Sequence, residues 1–495
     1  MREKKMPSLA LALTPVLAML LLMGVGSIWL GLPAEPMVII AAVVGGVIAI
    51  YLGYTYDEIM RTVAEKIAKV MPALLILVTV GLMIGAWMAG GTIPMLIYYG
   101  LEIVSPQYLY ITALVVTSVV AICTGTSWGS VGTIGVAFMG VALGMDGVNL
   151  GIVAGAVVSG AYFGDKLSPL SDTTNLAAAV TRVPLYTHIR HLLYTTVPSW
   201  LTAAVVMLIA GLGIDAGGAS GSEKVAAING ALSSGFSWNI LLLLPVLIVL
   251  FGSMKKLPTI PVMLTASAVA MINAVAFQKI SIADTFTSLV SGFNLEMLGS
   301  GFDAGAAIDD VGTLLNRGGM SGMMGTLLIA FCAITFAGVI AVTRSLDLIV
   351  EKLLTLAKST GSVILTTIAV GLLTIGTTCN GQISILMPSE LMREAYIRRG
   401  LHPKNLGRTV EDSATIIEPI LPWTAAGAYM AATLGVATMT YLPWATLCWT
   451  GIIFATIWGF TGFGIAKLTP EEQAEMLAEI EQEKATATAP APAAA

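Results

Sequence analysis

Long apolar stretches recur along the chain, and their period decides what they form. Several contain no Asp, Glu, Lys or Arg, among them Ser8–Gly31, Met71–Leu101, Tyr194–Ile214, Trp238–Met254, Pro258–Phe277, Ser321–Thr343 and Leu442–Ala466. A helix needs about 20 apolar residues to cross a bilayer, and most of these runs reach that length. Polarity within them is continuous rather than alternating, which argues against the strands of a membrane barrel. They predict an all-α polytopic membrane protein. The first run follows "MREKK". Its apolar core is longer than the roughly 7–15 residues of a signal-peptide core and no A-x-A site follows, so it reads as the first span with the N-terminus inside. Tyr56–Val70 and Arg344–Ala357 read as amphipathic helices on the inner surface.

Composition agrees. Of 495 residues, 56% are hydrophobic and 11% charged, against about 25% charged in a soluble domain. Mean hydropathy is +0.88. The expected surroundings are a lipid bilayer, with no nucleic-acid partner. Cys123, Cys332, Cys379 and Cys448 all lie in apolar segments and read as packing residues rather than disulfides.

The chain also resembles itself. "GTSWG" at Gly125–Gly129 is similar to "GTTCN" at Gly376–Asn380, 251 positions on. "SPL" at Ser168–Leu170 is similar to "EPI" at Glu418–Ile420, 250 positions on. Each match is short, but the offsets nearly agree. They divide the chain into a first repeat (1–214), a Gly/Ser/Ala-rich linker (215–237), a second repeat (238–466) and a tail (467–495). Lysine and arginine placement tests the topology. Each repeat is taken as five spans plus a re-entrant hairpin, roughly Pro106–Met145 and Gly361–Ser389. That arrangement puts 20 Lys/Arg inside, Lys224, Lys279 and Arg317 outside, and Lys166 within the membrane. Both termini then face the cytoplasm. An odd number of spans inverts the second half relative to the first, the arrangement common in secondary transporters, with sites at interrupted helices near the midplane. The second half alone carries an outer loop, Asp303–Gly319. The tail reads as an acidic helix with a mobile Ala/Pro end.

One stretch concentrates the polar chemistry. In "FGDKLSPLSDTTN", Phe163–Asn175, two acids and a lysine sit between apolar runs. Gly147–Tyr162 predicts a helix, with Gly151, Gly155 and Ser159 spaced for close packing. Gly164 and Pro169 interrupt it, and a second half-helix starts near Asp172–Thr174 and runs to Arg182. Unpaired backbone groups in a membrane are tolerated only against protein or a water-filled cavity. Half-helix C-termini and bare carbonyls suit cations. Hard cations such as Na⁺ favour carboxylate, hydroxyl and carbonyl oxygen. Asp165, Ser168, Asp172, Thr173, Thr174 and Asn175 offer such oxygens, as do Thr126 and Ser127 in the first hairpin. The second half adds Thr377, Thr378, Asn380, Asp412 and Glu418. These residues are the candidates for ion binding or proton coupling, with Na⁺ placed at Asp165, Asp172 and Glu418. Buried Ser and Thr commonly bond their own helix backbone instead, but a carboxylate inside a membrane is costly and marks ion or proton pathways. Lys166 is the expected fixed countercharge. His188, His191 and His402 fall among basic residues and read as solvated inner loops.

The blocks "CTGTSWGSVGTIGVA", "GAVVSGAYFGDKLSPLSDTTNLAA" and "EDSATIIEPILPW" resemble the NhaC-type sodium/proton antiporters, over roughly residues 8–466. The resemblance implies exchange of Na⁺, and often Li⁺, for H⁺ across the bacterial inner membrane. It also implies a rival: relatives that exchange organic acids, such as a malate/lactate antiporter coupled to sodium and protons. Lys166 would then hold the substrate carboxylate. Transported Na⁺ and H⁺ are expected, with no cofactor and no enzymatic activity; antiporters are commonly homodimers. No G-x-x-x-x-G-K-[ST] signals a nucleotide-driven pump and no H-E-x-x-H a metalloprotease. Burial disfavours an ionised carboxylate and a bound cation favours it. Loading Na⁺ would therefore expel protons, and protonation would expel Na⁺.

Overall fold

The computed structural model describes residues 4–30, 32–214, 218–299, 302, 308–355 and 357–488. Helix α1 (Leu9–Leu21) continues as a π-helical stretch to Trp29, followed by α2 (Ala34–Tyr51), α3 (Tyr56–Ala89), α4 (Thr92–Ile103) and α5 (Leu109–Thr124). Then come α6 (Ser127–Leu143), α7 (Leu150–Leu167), α8 (Asp172–Val180), α9 (Leu185–Leu212) and α10 (Gly218–Gly235). The second half holds α11 (Leu244–Met254), α12 (Thr259–Ala276), α13 (Ile282–Ser291), α14 (Ile308–Leu315), α15 (Met324–Val342) and α16 (Ser345–Leu354). It ends with α17 (Thr360–Thr378), α18 (Gly381–Arg398), α19 (Lys404–Val410), α20 (Ala425–Leu434), α21 (Thr446–Thr461) and the tail helix α22 (Pro470–Thr488). Among the described residues there is no strand, and 9 helices are long and apolar enough to cross a membrane. The chain is a multi-span helical membrane protein.

Small residues let the helices near the site approach closely. A Cβ added to Gly160 of α7 would lie 2.4 Å from the Leu114 carbonyl oxygen, and one on Gly164 2.5 Å from that of Ser118. Helix α7 therefore lies backbone to backbone on α5. On its other side, Gly155 abuts Trp444 and Ala445. Gly151 and Gly155 serve the close contacts expected of them, whereas Ser159 is buried with its hydroxyl unpaired.

Several expectations are corrected. Gly164 does not interrupt its helix: α7 runs through it to Leu167, because Gly164 is needed for contact with α5. The break is Ser168–Ser171, set by Pro169, and the N-cap is Ser171 rather than Asp172–Thr174. Tyr56–Val70 is not a separate surface helix. A capping box at Thr55 and Glu58 starts it, and it continues unbroken to Ala89. The apolar run Met71–Leu101 is divided at Gly91, whose φ of 80° ends one helix and starts another. The described part of the linker is helix α10, with Ile228 and Leu232 fully buried. In Asp303–Gly319, residues 303–307 lie outside the described residues. The remainder is no open loop, since Val311, Leu314 and Leu315 are fully buried. All four cysteines are free thiols; three are buried, and Cys123 is exposed rather than packed.

Candidate functional site

Two turns of nearly identical construction open the site. In the first, α5 ends at Thr124 and Gly125 takes the left-handed conformation, φ 67°. In the second, α17 ends at Thr378 and Cys379 takes it, φ 55°. The next residue caps the following helix: Thr126 Oγ1 accepts from the Gly129 amide at 3.2 Å, and Asn380 Oδ1 accepts from that of Ile383 at 3.0 Å. The Thr124 and Ser130 hydroxyls lie 3.2 Å apart, and those of Thr378 and Ser384 3.1 Å apart. Ser130 and Ser384 each donate, at 2.8 Å, to the carbonyl of the cap residue.

Two helix breaks face these turns. After α7, Asn175 donates from its side-chain amide to the carbonyls of Pro169 (2.9 Å) and Ser171 (2.5 Å), supplying partners the break removed. After α19 the chain makes a π-helical turn, Glu411–Thr415, and then a 3₁₀ turn, Glu418–Ile420. There Thr424 Oγ1 donates to the Glu418 carbonyl at 2.6 Å and accepts from the Gly427 amide at 3.0 Å. The caps Ser171 and Thr424 lie 253 positions apart, and the paired turn residues, 124 with 378 and 130 with 384, lie 254 apart. This register differs from the 250–251 suggested by the letters alone. It pairs Asp165 with Glu418, in place of Ser168 with Glu418.

Both carboxylates line one cavity of about 590 Å³, together with Asp172, Thr126, Ser127, Thr173, Asn175, Asn380 and Lys166. Asp165 accepts from the Ser127 hydroxyl through Oδ2 at 2.8 Å, and its buried Oδ1 has no partner. The Glu418 carboxylate lies against Gly381 and Ala426, where α18 and α20 begin; helix N-termini favour an anion. Asp172 is exposed, 3.5 Å from the Gln382 amide. Among the described residues no three acidic, histidine or cysteine side chains converge on a single metal position. Hydroxyls and carbonyls would therefore complete any cation's shell.

Ser168, Thr174, Thr377, Thr378 and Asp412 do not line the cavity. The Ser168 hydroxyl donates to the Ile122 carbonyl at 2.8 Å, fixing the break to α5. Thr174 donates to the Lys166 carbonyl at 3.2 Å, and Thr377 bonds back to the Leu373 carbonyl at 2.7 Å. Asp412 forms a buried ion pair with Lys166 and accepts from the Thr195 hydroxyl at 3.0 Å. Asp165 is thus not the partner of Lys166. Removing either partner of such a buried pair costs about 3–5 kcal/mol.

The expectation of solvated loops is overturned for His188 and His191, while His402 does lie in a connection, half-buried. His188 and His191 lie on the buried face of α9, whose buried positions 188, 191, 195 and 199 follow a helical period. His188 Nε2 meets Glu411 Oε1 at 3.0 Å, and His191 Nε2 meets Asn405 Oδ1 at 3.1 Å. That period is the signal that could have revealed them; the neighbouring arginines pointed to a loop. Lys166 is also not alone among buried cations, since Arg408 is fully buried and donates to the Gly464 carbonyl at 2.8 Å.

A multi-span helical bundle whose broken segments present oxygen-rich, acidic positions to one cavity is the architecture of an ion-carrying membrane transporter. Comparison with known proteins makes this specific. Residues 160–463 match the model of the Na⁺/H⁺ antiporter family. The chain is 59% identical over 464 residues to an uncharacterized Na⁺/H⁺ antiporter of Haemophilus influenzae, covering 94% of this chain and 98% of that one. It is 35% identical over 437 residues to the Na⁺/H⁺ antiporter NhaC of Alkalihalophilus pseudofirmus, covering 88% and 91%. It is 34% identical over 463 residues to a malate-2H⁺/Na⁺-lactate antiporter of Bacillus subtilis, covering 93% and 96%. The chain belongs to the Na⁺/H⁺ antiporter family.

Proposed function

We propose that this chain exchanges Na⁺, and also Li⁺, for H⁺ across the bacterial inner membrane by alternating access to the cavity between its two breaks. The observation that carries the reading is the structural pairing of Asp165 with Glu418, two acids at matched breaks facing the same space. Na⁺ and protons compete for these oxygens, with Asp172 at the exposed edge. The matched turns and breaks support two related halves, and an odd span count per half would invert one relative to the other. Lys69 and Lys256 also line the cavity, and charge counting assigns both to the cytoplasmic side. The cavity is therefore read as open inward, with both termini on that side. No cofactor is needed, and the assembly is read as a homodimer. Asp165→Asn and Glu418→Gln are expected to abolish Na⁺-induced collapse of ΔpH in inverted vesicles. Retention of full collapse by both variants refutes the proposal.

One observation favours a second reading. A volume of about 590 Å³ exceeds what a bare ion needs and falls in the ordinary range of small-molecule sites. Lys166 is committed to Asp412, so a substrate carboxylate would be held by Lys69 and Lys256 instead. Counterflow of radiolabelled malate or lactate in proteoliposomes, and its loss in Lys69→Gln/Lys256→Gln, separates this organic-acid antiporter from the simpler exchanger.

A further inference from the structure

We infer that Glu411 and His188 form a proton-carrying pair of their own, apart from the cavity acids that hold Na⁺. This rests on the Na⁺/H⁺ reading above and deepens it. Glu411 lines the cavity from the π-helical turn after α19, and such turns recur at functional sites. Its Oε1 meets His188 Nε2 at 3.0 Å, with both side chains buried. The remaining polar atom of each, Glu411 Oε2 and His188 Nδ1, is buried and unpartnered. A structural pair would satisfy these atoms, because each buried orphan costs about 1–3 kcal/mol. A pair that gains and loses a proton must keep one position open.

The proton balance is simple. In the unloaded state His188 is neutral and donates its Nε2 proton to the Glu411 carboxylate, so the pair carries one negative charge. One incoming proton, on Nδ1 or on Oε2, neutralises it; a second would leave a net positive charge in a buried site, so the pair carries one. The surroundings allow this change. Helix α19 presents Arg408 and Lys404, α7 presents Lys166, the π-turn presents Asp412 already paired with that lysine, and α9 adds His191. Helix α8 is followed by Arg182, whose guanidinium faces Glu479 of the tail. Helices α5, α17 and α21 bring no charge, the buried face of α18 carries none, and the 3₁₀ turn adds Glu418. Glu411 and Asp165 line the same cavity, and a negative charge there favours a cation, so a protonated pair weakens cation binding in the cavity. That coupling is what exchange requires.

The test uses the purified full chain in proteoliposomes, with the membrane potential clamped at zero and a pH gradient of one unit. At steady state each proton exchanged per Na⁺ multiplies the Na⁺ accumulation ratio by about ten. Glu411→Gln and His188→Gln should each lower that ratio about tenfold. Proton-independent ²²Na⁺/Na⁺ exchange should fall less than about threefold, and Glu411→Asp should restore the wild-type ratio. An unchanged ratio in both glutamine variants overturns the inference. So does a collapse of ²²Na⁺/Na⁺ exchange to the same extent as coupled uptake, which would make the pair a structural part of the Na⁺ path or of the fold. The two readings fail separately. Wild-type chain that accumulates no Na⁺ refutes the Na⁺/H⁺ reading, and this inference with it. Asp165→Asn that retains ²²Na⁺/Na⁺ exchange refutes only the assignment of the Na⁺ ligands.

Discussion

Position 127 is serine, and its structural counterpart 254 residues on, position 381, is glycine. Each sits just after a helix cap and each holds an acid, but by different chemistry. Ser127 gives its hydroxyl to Asp165, which lies in the last turn of α7 and keeps one oxygen free. Gly381, with no side chain, lets the Glu418 carboxylate lie against its own helix start, and Ala426 sets a second helix start beside that acid. The first acid is near a helix C-terminus, where bare carbonyls favour a cation; the second is cradled by two N-termini, which favour an anion. Two versions of one motif therefore offer unlike environments in one cavity. A cation held at Asp165 would keep a spare carboxylate oxygen for coordination, whereas Glu418 faces two helix N-termini that already favour its charge.

The largest effect should come from disturbing the backbone cradle. A Cβ on Gly381 would lie 2.5 Å from Glu418 Oε2, too close for the carboxylate to stay. Gly381→Ala should lower Na⁺/H⁺ exchange by about 100-fold, the loss typical of removing one aligned backbone-type donor to a charged group. The readout is the initial rate of ²²Na⁺ uptake against ΔpH. If Gly381→Ala transports at the wild-type rate, the amide cradle is not part of the site.

Ser127→Ala should be milder. It removes one hydroxyl donor but leaves room, and a hydrogen bond to a charged group is worth about 1.5–3 kcal/mol. About a tenfold fall in apparent Na⁺ affinity is expected, because the solvent-filled cavity can supply a replacement partner. If Ser127→Ala costs more than Gly381→Ala, the contrast between the two halves is drawn the wrong way round.

The same contrast explains what could be read from the letters. The apolar runs announce the spans because bilayer crossing demands length and uninterrupted apolar character. Pro169 and the acids of Phe163–Asn175 announce a break because charge there needs a cavity. The register of the repeat was not legible. What is repeated is a left-handed residue, a cap and a threonine–serine pair. The pair keeps its letters, Thr124 with Thr378 and Ser130 with Ser384, but the three residues after the threonine do not: Gly125 with Cys379, Thr126 with Asn380, Ser127 with Gly381. Matching identities instead aligned "GTSWG" with "GTTCN", three positions off. His188 was missed for a related reason. Its partner Glu411 lies 223 residues away, so local charge suggested solvent where the helical period of α9 implied burial. The pairing of Lys166 with Asp412, 246 residues apart, was equally a matter of tertiary placement.

The smallest effect tests the turns themselves. Gly125 and Cys379 share the left-handed conformation, yet only one is the residue that adopts it without cost. A Cβ on Gly125 would lie 2.4 Å from Leu170 Cβ, so Gly125→Ala adds backbone strain and a clash with the break; a loss of about 2–3 kcal/mol is expected. Cys379→Gly releases about 1–2 kcal/mol of strain. It also removes a side chain that is 2% exposed and packed beside the Ala333 carbonyl, which costs roughly the same. Its stability should therefore stay within about 1 kcal/mol of the parent. Thermal unfolding in detergent distinguishes the cases: a clear downward shift for Gly125→Ala and almost none for Cys379→Gly. A large loss in Cys379→Gly would mean that the thiol's packing, rather than the backbone conformation, fixes the second turn, and the two turns would then be alike in shape but not in what holds them.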